Sequence, residues 1–127
     1  MTMMTDRQIR AAIETNKLVM QGYDPKLVQP ASYDMRLGDQ VITSSAREII
    51  NPAQKGLVTI VAGDFALVTT FERVVMPTDI VGHLGLRSRF AKMGLVLLSG
   101  PQIDPGFRGV LVLGLANLSP RDVVIPY

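Results

Sequence analysis

The sequence predicts a mainly β protein, a sandwich or barrel of short strands. Three observations carry that expectation. Short apolar runs recur at a spacing of roughly 8 to 12 residues, as in all-β folds. Eleven glycines and eight prolines punctuate a chain of 127 residues, many of them between those runs. A clear helical period occurs in one place only, near the N-terminus. The length suits one domain, residues 1–127, with a single core.

Taken in order, Thr5-Asp6-Arg7-Gln8 reads as a capping box. Ile9, Ala12 and Ile13 follow on one face, which predicts about three turns of helix ending near Asn16. Lys17 to Met20 reads as a short strand and Gly22 to Pro25 as a turn. Ser32 to Leu37 alternates apolar with polar residues, the period of a half-buried strand. Gly38-Asp39 reads as a turn and Val41-Ile42-Thr43 as a short strand. Ile49 to Pro52 runs into a loop through Gly56. Leu57 to Ala62 and Phe65 to Phe71 flank Gly63-Asp64, a hairpin or a corner. Val74 to Met76 and Ile80 to Leu84 are shorter runs. Ser88 to Met93 suits a helical turn, and Leu95 to Leu98 and Val110 to Leu115 read as strands able to pair. Val123 to Tyr127 is an apolar strand that needs a partner, inside the domain or at a subunit contact.

Composition narrows the function. Hydrophobic residues make up 47% of the chain and charged residues 19%, the balance of a folded globular protein. No apolar run reaches the roughly 18 to 20 residues that span a bilayer, and the start, MTMMTDRQIR, lacks an apolar signal region. The expectation is a cytoplasmic protein without membrane contact. There is no cysteine and one histidine, His83, which excludes thiolate nucleophiles, Cys-type zinc sites and paired-histidine metal motifs. The net charge of +2, the absence of Trp and only four Phe and three Tyr argue against nucleic acid as partner.

The stretch from Gly85 to Asn117 holds the chemistry. Arg87 offers a planar fork for phosphate and Ser88 a hydroxyl donor. Lys92, four residues after Ser88, returns to the same face of a helical turn. The same residues also suit a solvated basic loop. Asp104 precedes Pro105-Gly106 at the mouth of a turn, where a carboxylate serves as a general base toward water or simply bonds its own backbone. Phe107 suits stacking on a sugar or packing at a corner. Asp34 is a second carboxylate for magnesium or a solvated side chain, and His83, in an apolar run, suits a core or interface position.

Three segments in order resemble one family. Asp6-Arg7-Gln8-Ile9 with Gln29-Pro30-Ala31-Ser32-Tyr33-Asp34-Met35-Arg36-Leu37-Gly38 looks like the deaminase branch of the trimeric dUTPase and dCTP deaminase superfamily. Arg87-Ser88-Arg89-Phe90-Ala91-Lys92-Met93-Gly94-Leu95 is similar to the phosphate motif of both branches. Ile103-Asp104-Pro105-Gly106-Phe107-Arg108-Gly109 with Asn117 looks like the pyrimidine and sugar motif. The resemblance implies a distorted β-barrel or jelly-roll-like, dUTPase-type fold with a short N-terminal helix. It further implies a homotrimer with sites between subunits and a deoxyuridine or deoxycytidine triphosphate as substrate. Arg87, Ser88 and Lys92 would hold the triphosphate, and the turn from Ser99 to Gln102 would read the pyrimidine. Asp104 would contact the 3′-hydroxyl and orient the attacking water, and Phe107 would pack on the deoxyribose. Mg2+ would bridge the phosphates, with Asp34 a candidate ligand.

The departures decide between activities. In dCTP deaminases the strand after the Ile-Asp-Pro-Gly motif carries a Glu that shuttles protons, and here that register holds Gly114. No Asp or Glu occurs from Pro105 to Arg121. Loss of a proton shuttle costs about 10² to 10⁴-fold in rate, so hydrolysis of dUTP to dUMP and diphosphate is the leading expectation. Deamination of dCTP with a shuttle from Glu72 or Asp122 is the second, and a catalytically idle nucleotide-binding or structural trimer the third. Arg89 stands where the phosphate motif carries a small residue, and both branches close the site with a C-terminal strand and tail beyond the point where this chain ends.

Overall fold

The computed structural model describes residues 2–127. Its elements are α1 (Asp6–Glu14), β1 (Val19–Gln21), a 3-10 turn (Pro25–Leu27), β2 (Val28–Gln29), β3 (Ser32–Tyr33), β4 (Leu37–Thr43), β5 (Ile49–Ile50), α2 (Pro52–Lys55), β6 (Leu57–Ile60), β7 (Phe65–Val75), β8 (Gly82–His83), α3 (Ser88–Lys92), β9 (Leu95–Leu97), β10 (Gln102–Ile103), β11 (Arg108–Asn117) and β12 (Val123–Pro126). The protein is mainly β, as predicted, and its strands form an open sheet with separate ribbons, not a closed barrel.

The eleven-residue β7 is the centre. It pairs antiparallel with β11 along one edge, and with β4 and then β1 along the other; β5 extends the sheet beyond β4 and β9 beyond β11. Alternation along β7 turns Ala66, Val68, Thr70, Glu72 and Val74 inward, the period-two consequence of the pleat. On the inner face a core of Val41, Ala66, Val68, Leu95 and Leu115 meets Val58, Ile60 and Val123 from the β6–β12 ribbon. A second cluster joins Ala12 of α1 to Leu18, Met76, Ile103 and Leu111. At the bulge in β11 the Leu111 N–H donates to Thr70 Oγ1 at 3.0 Å, so the residue skipped by the ladder keeps a partner.

Several local readings hold. Thr5 N–H donates to Gln8 Oε1 at 2.8 Å at the start of α1. Ser88–Lys92 is helical, and β9 pairs with β11 at Leu97↔Leu115. The terminal strand finds its partner within the chain, with Val123↔Ile60 through Pro126↔Leu57.

Others differ for identifiable reasons. Leu57–Ile60 and Phe65–Val75 do not form a hairpin; Gly63-Asp64 is a corner that sends β6 to β12. The strand expected from Ser32 to Leu37 breaks after Tyr33, and Gly38-Asp39 lies inside β4. A Cβ on Gly38 would stand 2.6 Å from the Thr70 carbonyl oxygen, so this glycine marks a close backbone approach at a shift of register, not a turn. The run Phe65 to Phe71 and the pair Val74-Val75 are one strand, and Glu72, which interrupts them in sequence, is wholly buried. Its carboxylate accepts from Arg36 Nε at 2.8 Å, Arg36 N–H at 2.9 Å and Tyr33 Oη at 3.3 Å. Arg36 also donates to the Gly22 carbonyl and lies over the Phe71 ring.

Candidate functional site

The two-residue strands β8 and β10 form a ribbon in which His83 stands opposite Gln102, and Gly82 opposite buried Ile103. Directly opposed residues share a face, so with Ile103 anchored in the core, His83 and Gln102 look outward. Gln102 Nε2 donates to Asp104 Oδ1 at 3.0 Å. The Asp104 carbonyl closes the Pro105-Gly106 turn by accepting from Phe107 N–H at 3.1 Å. The backbone of Asp104 thus makes the turn, while its exposed carboxylate is held by a neighbouring amide. That leaves one carboxylate oxygen free to accept from a hydroxyl or a water.

Phe107 takes the packing role. It is half-buried against the Ala12–Leu111 cluster, and its carbonyl accepts from Met76 N–H at 2.8 Å. Asn117, part of the same sequence motif, is fully buried. Its amide donates to the carbonyls of Ile60 at 2.9 Å and Arg121 at 2.7 Å and accepts from Ser119, which makes it a clamp between β11, β6 and the loop before β12.

The basic motif divides. Arg87 caps the short helix α3, and its Nε lies 3.6 Å from Asp34 Oδ2, whose side chain is 17% exposed. Ser88 begins α3 and is exposed. Lys92 and Arg89 line a groove of about 700 Å³ along β12. Among the described residues no three carboxylates or imidazoles gather as a metal-binding group. A lone Asp34 beside Arg87 does not make an all-protein magnesium cage.

Gly114 lies on β11 opposite Leu67. A Cβ here would come 3.2 Å from the Phe65 ring and 3.6 Å from Ser99 N, so an aromatic edge and the Leu98–Pro101 turn cover this position. Leu98 N–H donates to the Gly114 carbonyl at 2.8 Å, and the buried Ser99 Oγ has no hydrogen-bond partner. The two carboxylates considered as substitutes are engaged elsewhere: Glu72 within its buried network, and Asp122 Oδ1 as acceptor from Ala62 N–H at 3.2 Å. Phe65 carries no motif of its own; only its pairing with Ala116 in the sheet reveals it as the cover over Gly114.

The dCTP deaminase-like family model matches residues 3–126. A dUMP-forming dCTP deaminase of Thermobifida fusca is 38% identical over 137 residues, covering 95% of this chain and 70% of the relative. A dCTP deaminase of Thermococcus sibiricus is 36% identical over 111 residues, covering 87% and 69%. The crystal structure of the 2′-deoxycytidine 5′-triphosphate deaminase from Agrobacterium tumefaciens superposes with a TM-score of 0.77 at 21% identity, over 97% of this chain and 44% of that one.

Proposed function

The chain belongs to the dCTP deaminase-like family, and from that premise we propose that it acts on a pyrimidine deoxynucleoside triphosphate, hydrolysing dUTP to dUMP and diphosphate. The observation that carries this reading is the contrast between two positions. Asp104 keeps an exposed carboxylate oriented by Gln102, while Gly114, covered by Phe65, presents no group to the pyrimidine. Attack on a cytosine ring needs a proton donor at the ring; attack on phosphorus needs an oriented water. A relative named as dUMP-forming yields a monophosphate, a product that requires phosphate chemistry.

In the proposed step Asp104 accepts a proton as water oxygen bonds to the α-phosphorus. The bond from that phosphorus to the bridging oxygen breaks, and diphosphate leaves. Arg87 and Ser88 hold the phosphates, and Lys92 adds charge from the last position of α3. A magnesium ion on the substrate phosphates would offset their charge, and Asp34, the carboxylate beside Arg87, would be its candidate protein ligand. Phe107 shapes the sugar side from its packed position. Incubation with dUTP and magnesium tests this: diphosphate release that falls by about 10² to 10⁴-fold in Asp104→Asn supports it, and release equal in the two proteins rejects it.

Deamination of dCTP is the second reading, favoured by the names of the relatives. Ammonia release from dCTP is its test, and intact nucleotide without ammonia eliminates it. Binding of a non-hydrolysable dUTP analogue with neither product would leave the idle nucleotide-binding trimer. A homotrimer accords with the outer face of the main sheet, where Leu67, Phe71, Val110 and Val112 are 40%, 47%, 38% and 57% exposed. Apolar area of that kind is ordinarily covered by a partner.

A further inference from the structure

His83 is the one histidine of the chain. Its apolar surroundings in sequence suit a core or interface position, yet the fold leaves it exposed on β8. It stands opposite Gln102, and the ladder tells which kind of pair this is. Leu84 N–H donates to the Pro101 carbonyl at 2.6 Å, one step outside the His83–Gln102 pair. A bond that flanks a pair in this way marks it as non-hydrogen-bonded, the kind whose Cα atoms stand about 4.5 Å apart and whose side chains lie closest. An imidazole and a carboxamide therefore share one face of the ribbon at contact range.

The carboxamide of Gln102 has two ends to place. Its Nε2 donates to Asp104 Oδ1 at 3.0 Å, and among the described residues its Oε1 is left as a free acceptor. The two orientations of this amide are not equivalent. Turned over, it would set an oxygen against a carboxylate, two acceptors with no proton between them. Nothing in Gln102 itself prevents that, whereas a donor at Oε1 does. An imidazole keeps at least one ring N–H in either protonation state, and His83 is the residue that the ribbon sets opposite Gln102.

We infer that His83 is a positioning residue for Asp104 and acts through Gln102. Its ring N–H donates to Gln102 Oε1 and so keeps Gln102 Nε2 on Asp104 Oδ1. The second carboxylate oxygen is then held toward the water or hydroxyl that it serves. The effect on rate rests on the proposed hydrolysis of dUTP; the contact between His83 and Gln102 does not.

The contact is tested by proton exchange of the Gln102 side-chain amide in ¹⁵N-labelled protein, its signals assigned by their loss in Gln102→Leu. Exchange is expected to quicken about tenfold in His83→Leu. In His83→Gln, which restores an N–H donor, it should stay within about twofold of wild type. Unchanged exchange in His83→Leu would overturn the inference. The role in catalysis is tested by dUTP hydrolysis. His83→Leu should lower kcat about tenfold with KM unchanged, and His83→Gln should recover it. In a Gln102→Leu background the same His83→Leu change should cost nothing further. An unchanged kcat, a rise in KM alone, or a loss that persists without Gln102 would each overturn the positioning role. Should the unmodified protein release no diphosphate, the proposed hydrolysis falls, and the exchange measurement still decides the contact.

Discussion

At the scale of single residues, Gly114 is covered by Phe65, whose ring edge occupies the space that a side chain there would need. Gly114→Glu alone is expected to destabilise the fold by about 1–3 kcal/mol through overpacking, without creating ammonia release from dCTP. Adding Phe65→Ala should recover part of that loss, a non-additivity that a double-mutant cycle in urea would measure. Asp64 provides a pH-dependent prediction. Its buried carboxylate accepts from the hydroxyls of Ser44 and Ser45, and these bonds hold its pKa below the ordinary 3.8. A depressed folded pKa gives stability that is present above the unfolded value and lost as pH falls through the folded one. Asp64→Asn should therefore melt below wild type by about 1–3 kcal/mol near pH 6, with the gap narrowing as pH is lowered from about 4. The residue scale is also where sequence reading had least purchase. Phe107 suited sugar stacking or corner packing, and only the cluster around Ile103 and Leu111 distinguishes them. Asn117 sits in a functional-looking motif and clamps three carbonyl and amide partners.

At the scale of elements, what was legible in the sequence was local. The capping box of α1, the helical turn at Ser88 and the apolar run of β9 are set by neighbours within four residues. Pairing was not legible, because partners are distant: β6 finds β12 across more than sixty positions, and no periodicity reports that. Glu72 illustrates the point. In sequence it divides two apolar runs, yet its burial becomes tolerable only where Tyr33 of β3 and Arg36, just before β4, reach it. A buried carboxylate stripped of its partners is costly, and partners stripped of it are left unpaired. Glu72→Ala is expected to cost on the order of 3 kcal/mol, read as a lower denaturation midpoint with little change in slope. It should also loosen the segment from Gly22 to Arg36, which proteolysis near Pro25 would detect; an unchanged midpoint would refute the role of the network.

At the scale of the whole molecule, the class and the family were legible, and the assembly was not. The apolar outer face of β7 and β11 is a period-two pattern that a sequence cannot distinguish from a doubly buried sheet. Val112→Asp, placed on that face, should convert a species of about three times 13.9 kDa toward the monomer in sedimentation velocity, while leaving the β signal in circular dichroism intact. A monomer in the unmodified protein would remove the trimer from the proposal.

The position of β7 carries a further consequence. Its partners are residues 19–21, 37–43 and 108–117, so no contiguous half of the chain owns the central strand. Closure of long loops must precede most of its ladder. Folding of this chain should be slow and all-or-none, with the β7 amides exchanging with solvent only when the entire molecule opens. The ribbon bearing His83 and Gln102 lies outside that ladder with a two-residue pairing of its own, and its amides should exchange by local opening. The same chain then keeps two clocks, a slow one for its frame and a fast one for the edge where a ligand would arrive.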